Sequence, residues 1–522
     1  MENRRSALEF NDEFNEAVHL LEKTNHNLFL TGKAGTGKST LLDHFRNTTQ
    51  KKIAVLAPTG VAAVNILGQT IHSFFRFSPG VSMGEIPKIV GQYPDKLLIL
   101  KLDTLIIDEI SMVRADLLDC VDLFLRTLTK KPFPFGGIQM AFIGDLYQLP
   151  PVVVGKEKEA LAGRYNSPFF FDAEVMKELT SAKSTRPIHL IELEKIYRQQ
   201  DDEFIHLLNS VRNNSITDEQ LVSLNRRVVP VPEEAVDHFI YLTSTNQQAG
   251  EINRTNLERL PAPLQRFDGT IAGSFEEKSL PNEQELYLKR DARVMLLNND
   301  SYGRWVNGTL GTIRKIKPEE ISVTLDEGET VEVEPLTWKL FRMKYNEAAL
   351  SIENEEIGSF TQFPLKLAWA ITIHKSQGKT FDRVIVDIGR GTFAHGQMYV
   401  ALSRCRSFEG MILKKPVEKR HLIMDRRVIR FLTQLQYKLS EKDVPLKEKM
   451  KQIHVAIEQK KKLKIVYLKG SDEKSRRTIL PLSISEMEYL GYPFTGLQAH
   501  CFSRNAVRVF RMERILKIEE EA

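Results

Sequence analysis

The chain has 522 residues, too many for one hydrophobic core, so about three to five structural units are expected. Its 73 Lys+Arg against 68 Asp+Glu leave a formal charge of +5, mild for this length, so bulk charge by itself identifies no nucleic-acid partner. Cys120, Cys405 and Cys501 lie far apart with no metal-ligand spacing, which excludes a cysteine-built zinc or iron–sulfur site. No long apolar run and no signal-like start is present, giving the expectation of a soluble, cytoplasmic protein without a membrane partner.

Residues 1 to 27 read as one amphipathic helix, with Phe10, Phe14, Ala17, Val18 and Leu21 recurring at steps of three and four. The apolar run Leu28-Phe29-Leu30 then enters Gly32-Lys33-Ala34-Gly35-Thr36-Gly37-Lys38-Ser39-Thr40, a glycine, four residues, then Gly-Lys-Ser. Glycines here let backbone N–H groups curl around phosphate oxygens, and the helix expected from Lys38 points its positive end at the same anion. Lys38 is expected to neutralise phosphate charge and Ser39 to offer its hydroxyl to Mg²⁺, so the chain is expected to bind a nucleoside triphosphate.

A second strand, Ile53 to Leu56, ends at Ala57-Pro58-Thr59-Gly60, which places Thr59 on the ligand edge of a parallel sheet together with Lys38. Gly68 to Phe75 interleaves polar residues with aromatics, and its reading is open between a surface that meets a partner and a loop that packs two Phe into the core. Residues 78 to 96 are rich in Gly, Pro and charge and suggest a small excursion from the sheet. A third strand, Leu105 to Ile107, ends in Asp108-Glu109, the pair that ATPases use to hold Mg²⁺ and to polarise the attacking water. The fourth, Met140 to Ile143, leads to Gly144-Asp145-Leu146-Tyr147-Gln148, where Gln148 is a candidate γ-phosphate sensor.

A second α/β half follows, with a strand at Phe239 to Leu242 and no phosphate loop of its own, so it is expected to complete the first site. Short strands separated by turn signals between Arg293 and Ile357 predict a small inserted β-barrel. The α/β pattern returns in Leu367 to Thr380 and continues to Gln397 to Arg406. Arg198 and Arg404 have a use as residues supplied across a cleft to the charge that develops on the γ-phosphoryl group, although spacing alone leaves a surface salt bridge open for each.

The ordered set TGKAGTGKST, APTGVAA, GQTIHSFF, IIDEISM, GDLYQLPPV, IYRQ, AITIHKSQGKTFDRV and YVALSRCRS resembles the Pif family of superfamily-one (1B) DNA helicases, relatives of RecD, over roughly residues 8 to 432. The resemblance implies an α/β fold with two RecA-like P-loop NTPase lobes: residues 1–185 with a small wedge insertion at 78–98, and 186–433 with a Src-homology-three-like β-barrel at 293–361. It implies ATP and Mg²⁺ between the lobes, with Gly32, Gly35, Thr36, Gly37, Lys38, Ser39, Thr40 and Gly378 around the nucleotide. Ser39 and Asp108 would hold the metal, Glu109 would be the catalytic base, Gln148 the sensor, and Arg198 and Arg404 the fingers. Thr59, His72, Phe75, His374 and Lys375 would lie along single-stranded DNA, where hydroxyls and cations hold phosphates and aromatics stack bases. Family members carry a glutamine that reads adenine upstream of the phosphate loop; this chain has the shorter Asn15 there, which leaves adenine specificity less secure than phosphate binding.

Residues 434–448, rich in Lys and Glu and containing Pro445, read as a linker. Beyond it, 449–522 looks like a WYL domain, a small β-rich module that binds nucleic acids or nucleotide-like ligands, with Tyr467, Arg477, Tyr489, Cys501, Arg508 and Arg511 as the expected site. Tyrosines offer stacking faces and arginines bidentate phosphate contacts; no His or acid is spaced to activate Cys501.

Three functions follow for testing. The first is an ATP-dependent helicase that moves 5′ to 3′ on single-stranded DNA and opens duplex junctions in genome maintenance, monomeric when free and nucleoid-associated. G-quadruplexes are a candidate substrate that the sequence leaves open. The second is a translocase that unwinds poorly, and the third a ligand-gated regulator read from the WYL-like part alone.

Overall fold

The computed structural model describes residues 11–520 apart from 154, 156, 182–183, 185, 200, 233–237, 276–279, 471–473 and 490. The chain falls into two compact units, one of residues Met1–Met176 with Ile191–Met424, the other of Lys177–Leu190 with Asp425–Ala522. The expected lobe boundary at 185/186 therefore lies inside a segment that groups with the C-terminal unit.

In the first unit, the helix Asp12–Lys23 is capped by the Asn11 side chain, which accepts from Phe14 N; residues 1–10 of the expected helix lie outside the described residues. Its Phe14, Ala17, Leu20 and Leu21 pack into one core with Leu28 and Leu30 of the strand Asn27–Gly32. That strand sits in a six-stranded sheet whose order is Gln69–Thr70, Ile53–Ala57, Thr104–Ile107, Gln139–Ile143, Asn27–Gly32, Ile188–Leu193. The pairings resolved residue by residue are parallel, and the four central strands are buried along nearly their whole length, as a sheet covered on both faces requires. Parallel strands align their C-terminal ends, so the turns after Leu30, Leu56, Ile107 and Ile143 share one edge.

The second lobe repeats this plan on a smaller scale, with the parallel strands Ala370–Thr372, Ile240–Thr243, Val384–Asp387 and Met411–Leu413 in that order. The stretch expected as a wedge is helical, Ile86–Gln92 and Lys96–Leu100, and both helices pack on Ala115–Thr129.

Two expected boundaries are corrected. The strands read as one barrel over 293–361 divide: Thr330–Val333, Ile321–Leu325, Leu310–Ile316 and Arg293–Leu296 form an antiparallel sheet completed by Leu365–Leu367. Leu336–Asn346 and Ser351–Gln362 instead make a long hairpin that pairs with Thr270–Gly273. Alternation alone carries no information about which strand partners which, so the hairpin merged with the sheet in the sequence reading.

Nor do residues 434–448 read in the structure as a linker: all but Val444 and Pro445 lie on the helices Arg426–Asp443 and Leu446–Glu458 of the second unit. Lys and Glu are good helix formers, and Val428, Leu432, Leu435 and Gln436 are buried at helical spacing. Pro445 stands at the N-cap of the following helix, where its missing N–H removes no helical bond. The rest of the unit is a five-stranded antiparallel sheet ordered Ala506–Arg511, Tyr492–Cys501, Lys474–Tyr489, Leu463–Leu468, Ile515–Glu520, packed on Ile453 and Ala456.

Candidate active site

The phosphate loop is built as a concave backbone. Gly35 and Gly37 take φ +80° and +90°, and a Cβ on Gly35 would stand 2.4 Å from Arg198 Cβ, so a side chain is excluded there. Thr36 is buried with its hydroxyl donating to Lys33 O at 2.9 Å, and the helix Lys38–Thr48 starts at the mouth of the loop. Lys38 Nζ donates to Gly32 O at 2.8 Å and Lys33 O at 3.0 Å. Burial lowers the Lys38 pKa, opposed by Asp145, Glu109 and Asp108. Ser39 and Thr40 are exposed in the first helical turn.

Asp108 and Glu109 stand at the end of Thr104–Ile107, and Glu109 takes a left-handed φ of +50° that turns the chain there. Burial raises the pKa of both; Glu109, with Asp108 beside it, is pushed up to about 7. Two half-buried carboxylates next to one lysine form a donor set that fits a divalent cation, and Ser39 and Asp108 are the oxygens that would hold it.

Several second-lobe residues enter the same cleft. Gln377 Nε2 donates to Glu109 Oε2 at 2.8 Å, and the Tyr399 hydroxyl accepts from Ala34 N at 3.1 Å. Burial, with Asp145 nearby, pushes Tyr399 up to about 12. Arg404 is 1% exposed; its guanidinium donates to Lys379 O at 3.1 Å and Ser403 Oγ at 2.8 Å. Burial, and then Arg198, lower the Arg404 pKa to about 9. Arg198 donates to Gly378 O at 3.4 Å, and Tyr197 N bonds to Gly35 O at 2.9 Å, so this turn touches the phosphate loop and the second lobe at once. Gln148 is buried, with Nε2 donating to Asp145 Oδ2 at 3.4 Å. Asn15 lies exposed on the first helix.

The expected DNA residues divide. Thr59 is exposed and its hydroxyl accepts from Ala62 N. His72 and His374 are half-buried, and burial lowers the pKa of each; the His374 ring stacks on Phe393, whose side chain is largely exposed. Lys375 is exposed. Phe75 is a correction: it is 0% exposed, packed among Phe74, Phe77 and Phe124, and offers no face to a base. The alternative reading of that stretch, two phenylalanines packed into the core, is the one the structure shows.

In the C-terminal unit, Tyr467, Arg477 and Cys501 share the face of the sheet that carries Ile465 and Ile479. Arg477 Nη1 lies 3.6 Å from Cys501 Sγ, and Ser503 Oγ 3.2 Å from it. Burial acts to raise the Cys501 pKa, but the contacts from Ser503 and Arg477 bring it below the usual thiol value. Arg508 is exposed opposite Ala499 on this same face, whereas Arg511, an odd number of residues on, points to the other one. There its guanidinium sits 4.3 Å from the Phe494 ring centre and 5.9 Å from that of Tyr489. The six expected residues thus form two groups on opposite faces.

Sequence reasoning singled out neither Tyr399 nor Arg212, and gave Gln377 no role. Gln377 and Tyr399 lie inside quoted motifs, so their signal was present; Arg212 lies between motifs and carried none.

The family model described as PIF1-like helicase matches residues 9–221, and that described as WYL domain matches residues 448–520. The chain is 32% identical over 439 residues to the ATP-dependent DNA helicase Pif1 of Bdellovibrio bacteriovorus, across 82% of this chain and 93% of that protein. It is 34% identical to human ATP-dependent DNA helicase PIF1 across 74% of this chain, and spans 57% of the human protein. Among solved structures it is similar to Bacteroides Pif1 in complex with ADP-AlF4, with a TM-score of 0.72 at 38% identity over 81% of this chain and 96% of that one. The same protein bound to single-stranded DNA gives a TM-score of 0.57 at equal identity and coverage.

Proposed function

Because the chain belongs to the PIF1-like helicase family, we propose that its two lobes convert ATP hydrolysis into 5′-to-3′ movement along single-stranded DNA, and that this movement opens duplex junctions. The observation that carries the reading is the Glu109–Gln377 hydrogen bond, which ties the carboxylate at the end of a first-lobe strand to a second-lobe residue beside His374 and Lys375. A cation held by Ser39 and Asp108 would supply charge neutralisation at the β- and γ-phosphate oxygens. Lys38 and the loop amides would bind and orient the triphosphate, and Glu109 Oε would take a proton from the attacking water. Arg198 and Arg404 would meet the charge that spreads over the γ-phosphoryl oxygens. Because Arg198 and Gln377 join both lobes, nucleotide turnover and the relative position of the lobes are coupled.

Thr59, His72, His374 and Lys375 are the proposed DNA contacts. The C-terminal WYL domain is proposed to add a single-strand or ligand-binding surface on its Tyr467–Arg477 face. The protein is proposed to act as a monomer on nucleoid DNA in the cytoplasm, with structured DNA such as G-quadruplexes among its substrates. Unwinding of fluorescent duplexes bearing a 5′ or a 3′ single-stranded tail tests the reading. Opening from the 5′ tail alone is the expected result, and opening from the 3′ tail overturns the polarity.

A further inference from the structure

The second lobe grips the turn after Ile143 at three points. A Cβ on Gly396 would lie 2.3 Å from Tyr147 O and 2.5 Å from Gln148 O, so only glycine lets the lobe come this close. His395 Nε2 lies 2.8 Å from Leu146 O. The third point is Arg212, the last residue of the second-lobe helix Asp202–Arg212, only 4% exposed.

Arg212 Nη2 donates to Asp145 Oδ1 at 3.0 Å, and its guanidinium carbon stands 3.8 Å from the centre of the Tyr147 ring. Asp145 is 1% exposed, and each of its oxygens has work: Oδ1 also accepts from Tyr147 N at 3.1 Å, and Oδ2 accepts from Gln148 Nε2. Arg212 thus fixes the carboxylate that orients Gln148. Its field also reaches Lys38, whose charge it opposes while Asp145 favours it.

A buried ion pair is weak evidence for stability, because desolvation offsets much of its attraction. The Arg212–Asp145 pair joins two lobes rather than two elements of one core, which suits a contact whose formation marks a closed cleft. We propose that Arg212 is a positioning residue for ATP hydrolysis: a strut across the cleft that, through Asp145, sets Gln148 toward the γ-phosphate when the lobes close. The proposal rests on the hydrolase reading above.

Steady-state ATP turnover of the full chain with single-stranded DNA tests it, using Arg212→Met, Arg212→Lys, Asp145→Asn and the Arg212→Met/Asp145→Asn pair, with thermal unfolding of each. Arg212→Met is expected to lower kcat by about 10²-fold with KM for ATP shifted far less, because a sensor displaced by ~1 Å has that effect. Arg212→Lys is expected to recover part of the rate. The double variant, which leaves no unpaired buried charge, is expected to stay folded and to be no slower than Arg212→Met, as residues acting in one unit are not additive. A folded Arg212→Met or double variant with kcat within twofold of wild type overturns the strut. A wild-type chain without ATP turnover overturns the hydrolase reading and the strut with it.

Discussion

The nucleotide cleft of the first unit and the sheet of the C-terminal unit place their functional side chains by different rules. In the cleft, Lys38, Asp108, Glu109 and Gln148 follow the C-terminal ends of parallel strands or open a helix, so the fold brings them to one edge whatever lies between them. In the antiparallel sheet, position depends on the parity of every residue and on the bulges at Val466/Tyr467 and Pro481/Ser483. Function is therefore readable from spacing in the first case and only from register in the second.

The contrast is broken most directly by removing one charge from each region. Arg404→Ala is expected to slow DNA-stimulated ATP turnover by ~10³ to 10⁵-fold. Arg477→Ala, in the sheet of the C-terminal unit, is expected to leave turnover within about twofold while weakening retention of a single-stranded oligonucleotide. A large ATPase loss in Arg477→Ala would remove the distinction between the two regions.

Phe75→Ala separates packing from DNA contact. With its ring buried among three other phenylalanines, truncation is expected to lower stability by about 3–5 kcal/mol, read by chemical unfolding, with oligonucleotide affinity of the folded fraction unchanged. Gln377→Ala is a smaller perturbation of the cleft: Glu109 loses its second-lobe donor and keeps its position at the strand end, so single-turnover hydrolysis is expected to slow by about 10-fold.

The smallest effect concerns Lys379, whose ammonium donates to Asn307 Oδ1 in the inserted sheet's loop and whose pKa burial lowers to about 8. Between that value and the ordinary lysine range, the native chain has released a proton that the unfolded chain still holds, so stability rises with pH. Compared with Lys379→Met, wild type is expected to gain on the order of 1 kcal/mol between about pH 8 and 10 in thermal unfolding.

The phosphate loop, the paired acids and the alternation of strand and helix were legible because local chemistry determines them: glycines for the tight loop, apolar runs for strands buried on both faces. The Lys- and Glu-rich stretch at 434–448 misled because the same composition serves a solvated linker and the outer face of a helix, and burial of Leu435 and Gln436 separates the two. Phe75 misled in the opposite sense, since an aromatic beside polar residues reads alike in a core and on a stacking platform. Arg212 was silent because an arginine at a helix end is ordinary until Asp145, 67 positions earlier in the chain, is found against it. Arg508 and Arg511, both assigned to one site for their phosphate-binding chemistry, are parted by the alternation of the strand that carries them.

The central claim is that one cleft, completed by residues of both lobes, hydrolyses ATP in response to single-stranded DNA. Steady-state ATP turnover of the full chain with Mg²⁺, titrated with an oligonucleotide, tests it most directly when Lys38→Ala serves as the reference without phosphate binding. The account predicts turnover that rises at least about tenfold with DNA and disappears in Lys38→Ala, since Gln377, which donates to Glu109, stands beside the proposed DNA contacts His374 and Lys375. Turnover that is indifferent to DNA would contradict it.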